Sequence, residues 1–525
     1  MEFATIDYVI FISYCLLIIG IGLFVSRRKG DEEETSQDYF LAGKSLTWWA
    51  IGASLIASNI SAEQFIGMQG SGFAIGLGIA SYEFMAAITL LVVAKYFLPI
   101  FIEKNIFTMP QFLEVRFDKR VRTSLAVFWL LVYVFVNLTS VMYLGALAMQ
   151  SVFNISLFAG IVGLAVFAGV YSIYGGLKAV AWTDVVQVFF LLGGGLITTY
   201  LALEAVGGPG GGFIGGLQTL LREAPQKFDM IISPNGENAE HYQDLPGVSV
   251  LIGGMWIANL NYWGCNQYII QRALAAKSIS EAQRGVAFAG YLKILMPLIV
   301  VIPGIAAFVL EAPLDKADDA YPWLLANFVP TGIKGLAFAA LIAAVVSSLA
   351  SMINSTATIF TIDIYKDMIN REASEKKLVS VGRLVAVVAL VIAVFVAPAL
   401  RTLDQAFQFI QEYTGFVSPG VVAIFLLGLF WKRTTANAAL WGAILTIPLS
   451  AGLKALTPAL PFIDRMGVVF LVIVAVMVGI SLYESKRPSA KAIEVPRSVF
   501  HTGKVFNVLS IGIMMIIAAI YALFW

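Results

Sequence analysis

The stretch "ASNISAEQFIG", residues 57–67, brings Ser58, Asn59, Ser61, Glu63 and Gln64 together within seven residues. Trp48, Trp49, Ile51, Leu55 and Ile56 lead into it, so the polar cluster sits inside an apolar run long enough to cross a bilayer. Lipid offers no water to satisfy a freed backbone group. Irregular, polar chain at that depth is tolerated only where it lines a cavity or is held by neighbouring helices.

Composition supports the membrane setting. Of the 525 residues, 59% are hydrophobic and only 13% charged. The mean hydropathy is +0.84. A soluble domain carries roughly 25% charged residues. Long apolar runs recur along the chain and do not alternate with period two, which predicts an all-α polytopic membrane protein rather than a barrel. The net charge of +1 points to neither a nucleic acid nor an acidic partner. Cys15 and Cys265 lie in apolar runs without metal-ligand spacing, and the two histidines, His241 and His501, lie between runs. No activated nucleophile or metal cluster is evident, so enzymatic chemistry is not expected.

The N-terminal "MEFATIDYVI" is acidic and lacks the basic flank of a cleaved signal, so residues 7–25 read as a retained first span. Thirteen further spans follow, near 46–69, 77–102, 121–150, 156–174, 180–204, 248–271, 283–310, 331–364, 378–400, 404–431, 436–455, 466–484 and 505–525. With both termini outside, 25 of the 34 Lys and Arg fall in inside connections, 7 fall outside, and Lys95 and Lys293 lie within spans. That asymmetry supports the count and orientation. Trp48, Trp49, Trp182, Trp431 and Trp525 fall near span ends, as interfacial aromatics do. Asp184, two residues after Trp182, reads as interfacial too. The outside connection around 205–247 contains "GGPGGGFIGG" without a phosphate-loop Lys, and reads as a mobile or partly helical loop.

A second interruption, "ANLNYWGCNQ" at 258–267, falls in the seventh span, five spans after the first. Five is odd, so two repeating five-span units would enter the membrane from opposite sides. Broken helices in corresponding positions of inverted units mark a transporter site. The alternative for any single Asn or Ser is interhelical hydrogen bonding. Glu83 in the third span and Lys293 in the eighth each cost roughly 2.5–3.5 kcal/mol at a helix centre unless paired or hydrated. They read either as a structural bridge or as the walls of a wet pocket. Gln411 and Glu412 add acceptors in the eleventh span. Amides, carboxylates and an ammonium together suit a neutral polyol. In the ninth span, Ala340, Ala344 and Ser348 form one small-residue row, and Ala343, Ser347 and Ser351 another. Spacing alone leaves Ser347 and Ser348 equally suited to close packing and to an oxygen cage for a small hard cation.

The segments "FLAGKSLTWWAIGASLIASNISAEQFIGMQGSGFAIGL", "YSIYGGLKAVAWTDVVQ", "NQYIIQRALAAKS", "VVSSLASMINSTATIFTIDIYK" and "FQFIQEYTGFVSPG" resemble the sodium/solute symporter family. The resemblance runs over essentially the whole chain and is strongest to bacterial sodium/galactose and sodium/glucose members. It implies one transporter domain of fourteen transmembrane helices with a five-plus-five inverted-repeat core and two broken helices. The first helix (7–25) would be extra. The repeats would span 46–204 and 248–431, and three C-terminal helices would occupy 436–525.

The resemblance also implies roles. Asn59, Gln64, Glu83, Asn259, Lys293 and Gln411 match sugar-binding polar groups. Tyr262 matches the aromatic that stacks on the pyranose ring and closes the inner side of the pocket, with Trp263 beside it. Met68, Tyr82 and Phe407 match an outer hydrophobic gate. The carbonyls of Ala57, Ile60 and Ala344 and the hydroxyls of Ser347 and Ser348 match a sodium site, and Asp184 an acidic residue associated with sodium passage. Two positions depart. Ala86 stands where the galactose-transporting member has a serine hydroxyl, and Ala438 stands where the family's second signature has glycine. The implied protein is a Na⁺-coupled hexose importer of the bacterial inner membrane, with Na⁺ as coupling ion and no organic cofactor. The same architecture would also serve inositol, an amino acid or a carboxylate, and a sugar sensor or channel would not couple fluxes.

Overall fold

The computed structural model describes residues 4–26, 35–106, 108–153, 155–402 and 406–525. Side chains at 36, 37, 151, 152, 171, 174, 401, 402 and 406–409 fall outside that description, and with them that of Phe407. Among the described residues the chain is helical, with one isolated bridge, Leu46 to Ala276, in place of any sheet.

Among the described residues, ten helices are long and apolar enough to cross a membrane. They are α1 (Thr5–Val25), α3 (Leu77–Glu103), α4 (Lys119–Gln150), α6 (Gly176–Gly207), α8 (Ile279–Val309), α9 (Ile333–Ile369), α10 (Glu375–Leu400), α12 (Ala436–Leu456), α13 (Phe462–Glu484) and α14 (Lys504–Leu523). The sequence-expected spans that are missing from this set are the interrupted or shorter ones. The shorter apolar α5 (Leu157–Val170) meets α6 at Gly176, whose φ of +56° breaks the helix. A Cβ there would lie 2.3 Å from the Tyr39 carbonyl, so only glycine fits. α11 consists of Ala406–Gly415 and Ser418–Phe430.

The two polar stretches coincide with two broken helices. α2 begins as Trp48–Asn59, breaks, then resumes as a wide π-helical turn at Glu63–Met68 and a last turn at Gln69–Ala74. α7 runs Gly254–Leu260, widens at Asn261–Cys265, breaks, and resumes at Gln267–Leu274. The breaking residues share one conformation: φ −80°, ψ 120° at Ile60 and φ −92°, ψ 122° at Asn266. Just before α2, the Leu46 amide donates to the Ala275 carbonyl at 3.1 Å, and the Lys277 amide just after α7 donates to the Leu46 carbonyl at 3.1 Å. The start of α2 therefore lies beside the end of α7, and the two broken helices run in opposite senses.

Burial sorts the helices. Nearly every residue of α9 from Ala337 to Thr358 is enclosed. By contrast α1, α12, α13 and α14 bury only a minority of their residues and present Leu, Ile, Val and Phe outward. A helix that is apolar all round and enclosed is a core element, while one exposed on its apolar side is suited to lipid. α2 and α8 approach closely. A Cβ at Gly52 would lie 2.5 Å from the Phe288 ring and 2.7 Å from the Gly285 carbonyl. The 205–247 connection is partly helical, with Gly212–Glu223, and is tied down. The Lys227 ammonium donates to the Ala74 carbonyl at the end of α2, and the Met230 amide donates to the Phe524 carbonyl at 2.7 Å.

Candidate functional site

The α2 break has a traceable cause. The Ser61 amide donates not to Ala57 but to the Gln64 side-chain oxygen at 2.8 Å. The Glu63 amide turns to the Ser61 hydroxyl at 3.1 Å, and the Gln64 amide to the Ser61 carbonyl at 3.2 Å. In an uninterrupted helix these three amides would bond Ala57, Asn59 and Ile60. The carbonyls of Ala57, Asn59 and Ile60 thus lose their helical donors. The Ser–Ala–Glu–Gln run supplies the side chains that cap the break, and the opening polar cluster is first of all the means of making it.

On one side of α2 these freed groups face α9. The Ser348 hydroxyl donates to the carbonyls of Ser58 (3.1 Å) and Ile60 (3.3 Å). The Ser347 hydroxyl donates to Asp184 Oδ1 at 2.5 Å. Ala57, Ile60, Ala344, Ser347 and Ser348 are all fully enclosed. Of the five expected ligand residues, Ser348 and Ile60 are thus in direct contact across α2 and α9, while Ser347 bonds Asp184. Packing and oxygen clustering are not exclusive here, since Ala340 of the same row packs against Gly194, where a Cβ would lie 2.7 Å away.

Asp184 is not interfacial. It is fully buried in α6, because two residues after an exposed Trp182 the helix has turned by about half a revolution toward α2 and α9. Its Oδ2 accepts from Ser54 at 2.5 Å and from Ser58 at 3.3 Å, and the Arg272 guanidinium lies 3.6 Å away. Arg272 is likewise misplaced by the sequence reading, which assigned it to an inside connection. It is fully buried within the second half of α7.

On the other side of α2 lies a cavity of about 110 Å³, on a measure where one water needs roughly 10–15 Å³. Asn59, Gln64, Glu83, Asn259, Tyr262, Trp263, Lys293 and Gln411 all line it, as do Met68, Tyr82 and Ala86. Glu83 and Lys293 form an ion pair at 2.5 Å with side chains 3% and 1% exposed, and the ammonium lies 5.3 Å from the centre of the Trp263 ring. The bridge and the polar pocket are the same feature. The Asn59 amide nitrogen donates to the Tyr262 hydroxyl at 2.9 Å, while its carbonyl oxygen is buried without a partner among the described residues. The Asn261 side-chain oxygen is in the same position, its amide donating to Ser418 at 3.0 Å. Buried acceptors without donors await either water or a solute.

Glu412 does not join this wall. It pairs with Arg465 and, at 3.1 Å, with Lys454, because the residue after Gln411 projects from another side of α11. Tyr133 and Tyr268 line the cavity without having been singled out by sequence. The Tyr133 hydroxyl donates to the Asn266 side chain and accepts from the Gln267 amide at 2.9 Å, capping the α7 break. Aromatic residues of ordinary helical spacing gave no signal of this.

A polar cavity on one side of a broken helix and a cluster of buried hydroxyls and carbonyls on the other, within a polytopic bundle, are the features of a membrane transporter. Residues 39–446 match the sodium:solute symporter family, and the chain belongs to it. It is 55% identical over 538 residues to the sodium/glucose cotransporter of Vibrio parahaemolyticus, covering 99% of this chain and 98% of that one. It is 36% identical over 474 residues to human sodium/myo-inositol cotransporter 2, covering 83% of this chain and 68% of that one. The fold matches that of a Na⁺-coupled sialic acid symporter solved in a substrate-bound outward-open state. The TM-score is 0.81 at 24% identity, over 93% of this chain and 100% of that one.

Proposed function

We propose that this protein couples Na⁺ to the inward transport of a neutral hexose by alternating access. The carrying observation is the cavity wall. It combines carboxylate, ammonium and amide groups, which match sugar hydroxyls in both directions, with Tyr262 and Trp263 for the apolar face of a ring. The Vibrio relative named for glucose supports that solute.

In this reading Na⁺ is cargo held by the carbonyls of Ala57, Ile60 and Ala344 and the hydroxyls of Ser347 and Ser348. Because Ser347 donates its proton to Asp184, its oxygen lone pairs are left to accept the ion. Asn59, Gln64, Glu83, Asn259, Lys293 and Gln411 hold the sugar. For Gln64 the amide nitrogen is the group offered, its oxygen being engaged at the break. Tyr262 is the inner gate, and Met68, Tyr82 and Phe407 form the outer gate. Ions and sugar are coupled because each favours the same arrangement of α2.

Fourteen crossings follow when the ten long helices are joined by α2, α5, α7 and α11. The antiparallel α2 and α7, broken at Ile60 and Asn266 in one conformation, support inverted repeats over 46–204 and 248–431. Withdrawing Arg272 still leaves 24 basic residues inside against 7 outside, which supports both termini outside, in a bacterial inner membrane.

A second solute has a specific observation behind it. Ala86 lines the cavity, so this wall lacks the hydroxyl of the galactose-transporting member, and the human relative is named for a cyclic polyol, myo-inositol. Uptake into proteoliposomes with and without a Na⁺ gradient, competed by a panel of hexoses and myo-inositol, tests both. Gradient-driven hexose uptake is expected. Uptake indifferent to Na⁺ refutes the coupling, and inhibition by myo-inositol alone refutes the hexose.

A further inference from the structure

Arg272 is a fully buried charged group with no part in the proposed transport cycle. Its guanidinium reaches three places at once. One nitrogen donates to the Ser54 hydroxyl at 3.1 Å, another to the Ser351 hydroxyl, and the third to the Tyr268 carbonyl. Ser54 in turn donates to Asp184, and Ser351 donates to Ser58 at 2.9 Å. Every one of these groups is at most 2% exposed. The proposed cage is built from neutral carbonyls and hydroxyls. Asp184, one hydroxyl away through Ser347, supplies a buried negative charge beside it, and Arg272 lies 3.6 Å from Asp184.

We infer that Arg272 is a tethered cation that competes with Na⁺ for the field of Asp184, and so sets how tightly Na⁺ is held and how readily it leaves. This rests on the Na⁺ assignment above. Two cations cannot both be satisfied by one enclosed carboxylate, since at this separation and in this medium their mutual repulsion is large. The guanidinium also has somewhere to go. Asn354, three residues beyond Ser351 on the same α9 face, is 2% exposed with both amide atoms unpartnered among the described residues. The bond to the Tyr268 carbonyl links the exchange to the cavity. Tyr268 packs edge-on against Tyr262 with ring centres 5.8 Å apart, so Arg272 connects the ion site with the proposed inner gate. Arg272 is thus a positioning residue for the cation, not a ligand.

The experiment measures saturation binding of radiolabelled Na⁺ to purified full-length protein in nanodiscs without sugar, alongside initial Na⁺-driven uptake in proteoliposomes. The variants are R272Q, R272K, D184N and D184N/R272Q. Half-saturating Na⁺ is expected to fall roughly tenfold or more in R272Q, a tenfold change being about 1.4 kcal/mol. It should stay near wild type in R272K, which keeps the charge, and rise in D184N. It should be lower in D184N/R272Q than in D184N. Uptake by R272Q should nevertheless slow, because the ion is released reluctantly. Tighter binding with slower turnover is not what a merely structural arginine would give. If R272Q does not assemble, the comparison of D184N with D184N/R272Q decides. Weaker Na⁺ binding in R272Q, or no tightening in the double variant over D184N, overturns the inference. Absence of saturable Na⁺ binding in the wild type would instead refute the Na⁺ assignment itself.

Discussion

Replacing Lys293 with alanine removes one half of the Glu83–Lys293 pair and leaves a carboxylate whose side chain is 3% exposed. Breaking a fully buried pair from one side costs about 3–5 kcal/mol, whereas a hydrated pair contributes less than about 1 kcal/mol. This pair borders a cavity with room for several waters, so an intermediate loss of about 2–4 kcal/mol of stability follows. Removing both groups leaves no orphaned charge, and Glu83→Ala/Lys293→Ala should be more stable than Lys293→Ala. Sugar binding loses a charge-assisted hydrogen bond either way, worth about 1.5–3 kcal/mol, or roughly a 10- to 150-fold weaker affinity. Thermal midpoints by fluorescence-detected size exclusion, with sugar affinity by calorimetry, complete a double-mutant cycle. Unchanged sugar affinity in both single variants at normal expression would refute the pocket. A double variant no more stable than Lys293→Ala would refute the orphaned-charge account.

Two further outcomes follow from the same geometry. Tyr262→Phe loses the 2.9 Å bond from Asn59 but keeps the ring, so sugar affinity should fall by only about 1 kcal/mol, while Tyr262→Ala should abolish measurable binding; equal losses in the two, measured by calorimetry, would remove the stacking role. Ser347→Ala and Ser348→Ala each delete an oxygen from the cage without enlarging the helix surface, so half-saturating Na⁺ for uptake should rise and high Na⁺ should partly restore transport; Na⁺ curves identical to wild type would leave both serines as packing.

Much of this was legible because membrane helices have a monotonous background. Against it, Asn59, Glu83 and Lys293 stand out one by one, and their meeting at one cavity follows once α2, α3, α7 and α8 are packed. The breaks were legible for a related reason, since Ser61 and Gln64 can cap only a helix that stops. What escaped was the partner of Asp184. Arg272 lies near the end of an apolar run, where a basic residue is ordinarily interfacial, and one sequence gives no depth along a helix to better than a turn. The burial of Asp184 escaped for the same reason, because Trp182 exposed at an interface says nothing of the opposite face. Glu412 was mistaken for a pocket group because adjacent residues on a helix point about 100° apart, and only the neighbours decide which of two faces inward. Tyr133 gave no signal, as a tyrosine in an apolar helix resembles any core aromatic until a broken helix is placed beside it.

The two proposed binding sites are not merely near one another. Ile60 and Asn59 are consecutive residues. The carbonyl of Ile60 receives Ser348 on the α9 side, while the side chain of Asn59 holds Tyr262 on the cavity side. An ion that fixes the Ile60 carbonyl fixes the backbone from which Asn59 projects, and a sugar that engages Asn59 orders the same peptide. Coupling of about 1–3 kcal/mol between two ligands needs no longer route than this. The coupling is reciprocal by thermodynamic necessity, so the factor by which saturating Na⁺ tightens sugar binding should equal the factor by which saturating sugar tightens Na⁺ binding. That reciprocity needs the helix to be broken where it is. In a continuous α2 the carbonyls of Ala57 and Ile60 would be bonded to the Ser61 and Gln64 amides, and the proposed cage would lose two of its five oxygens.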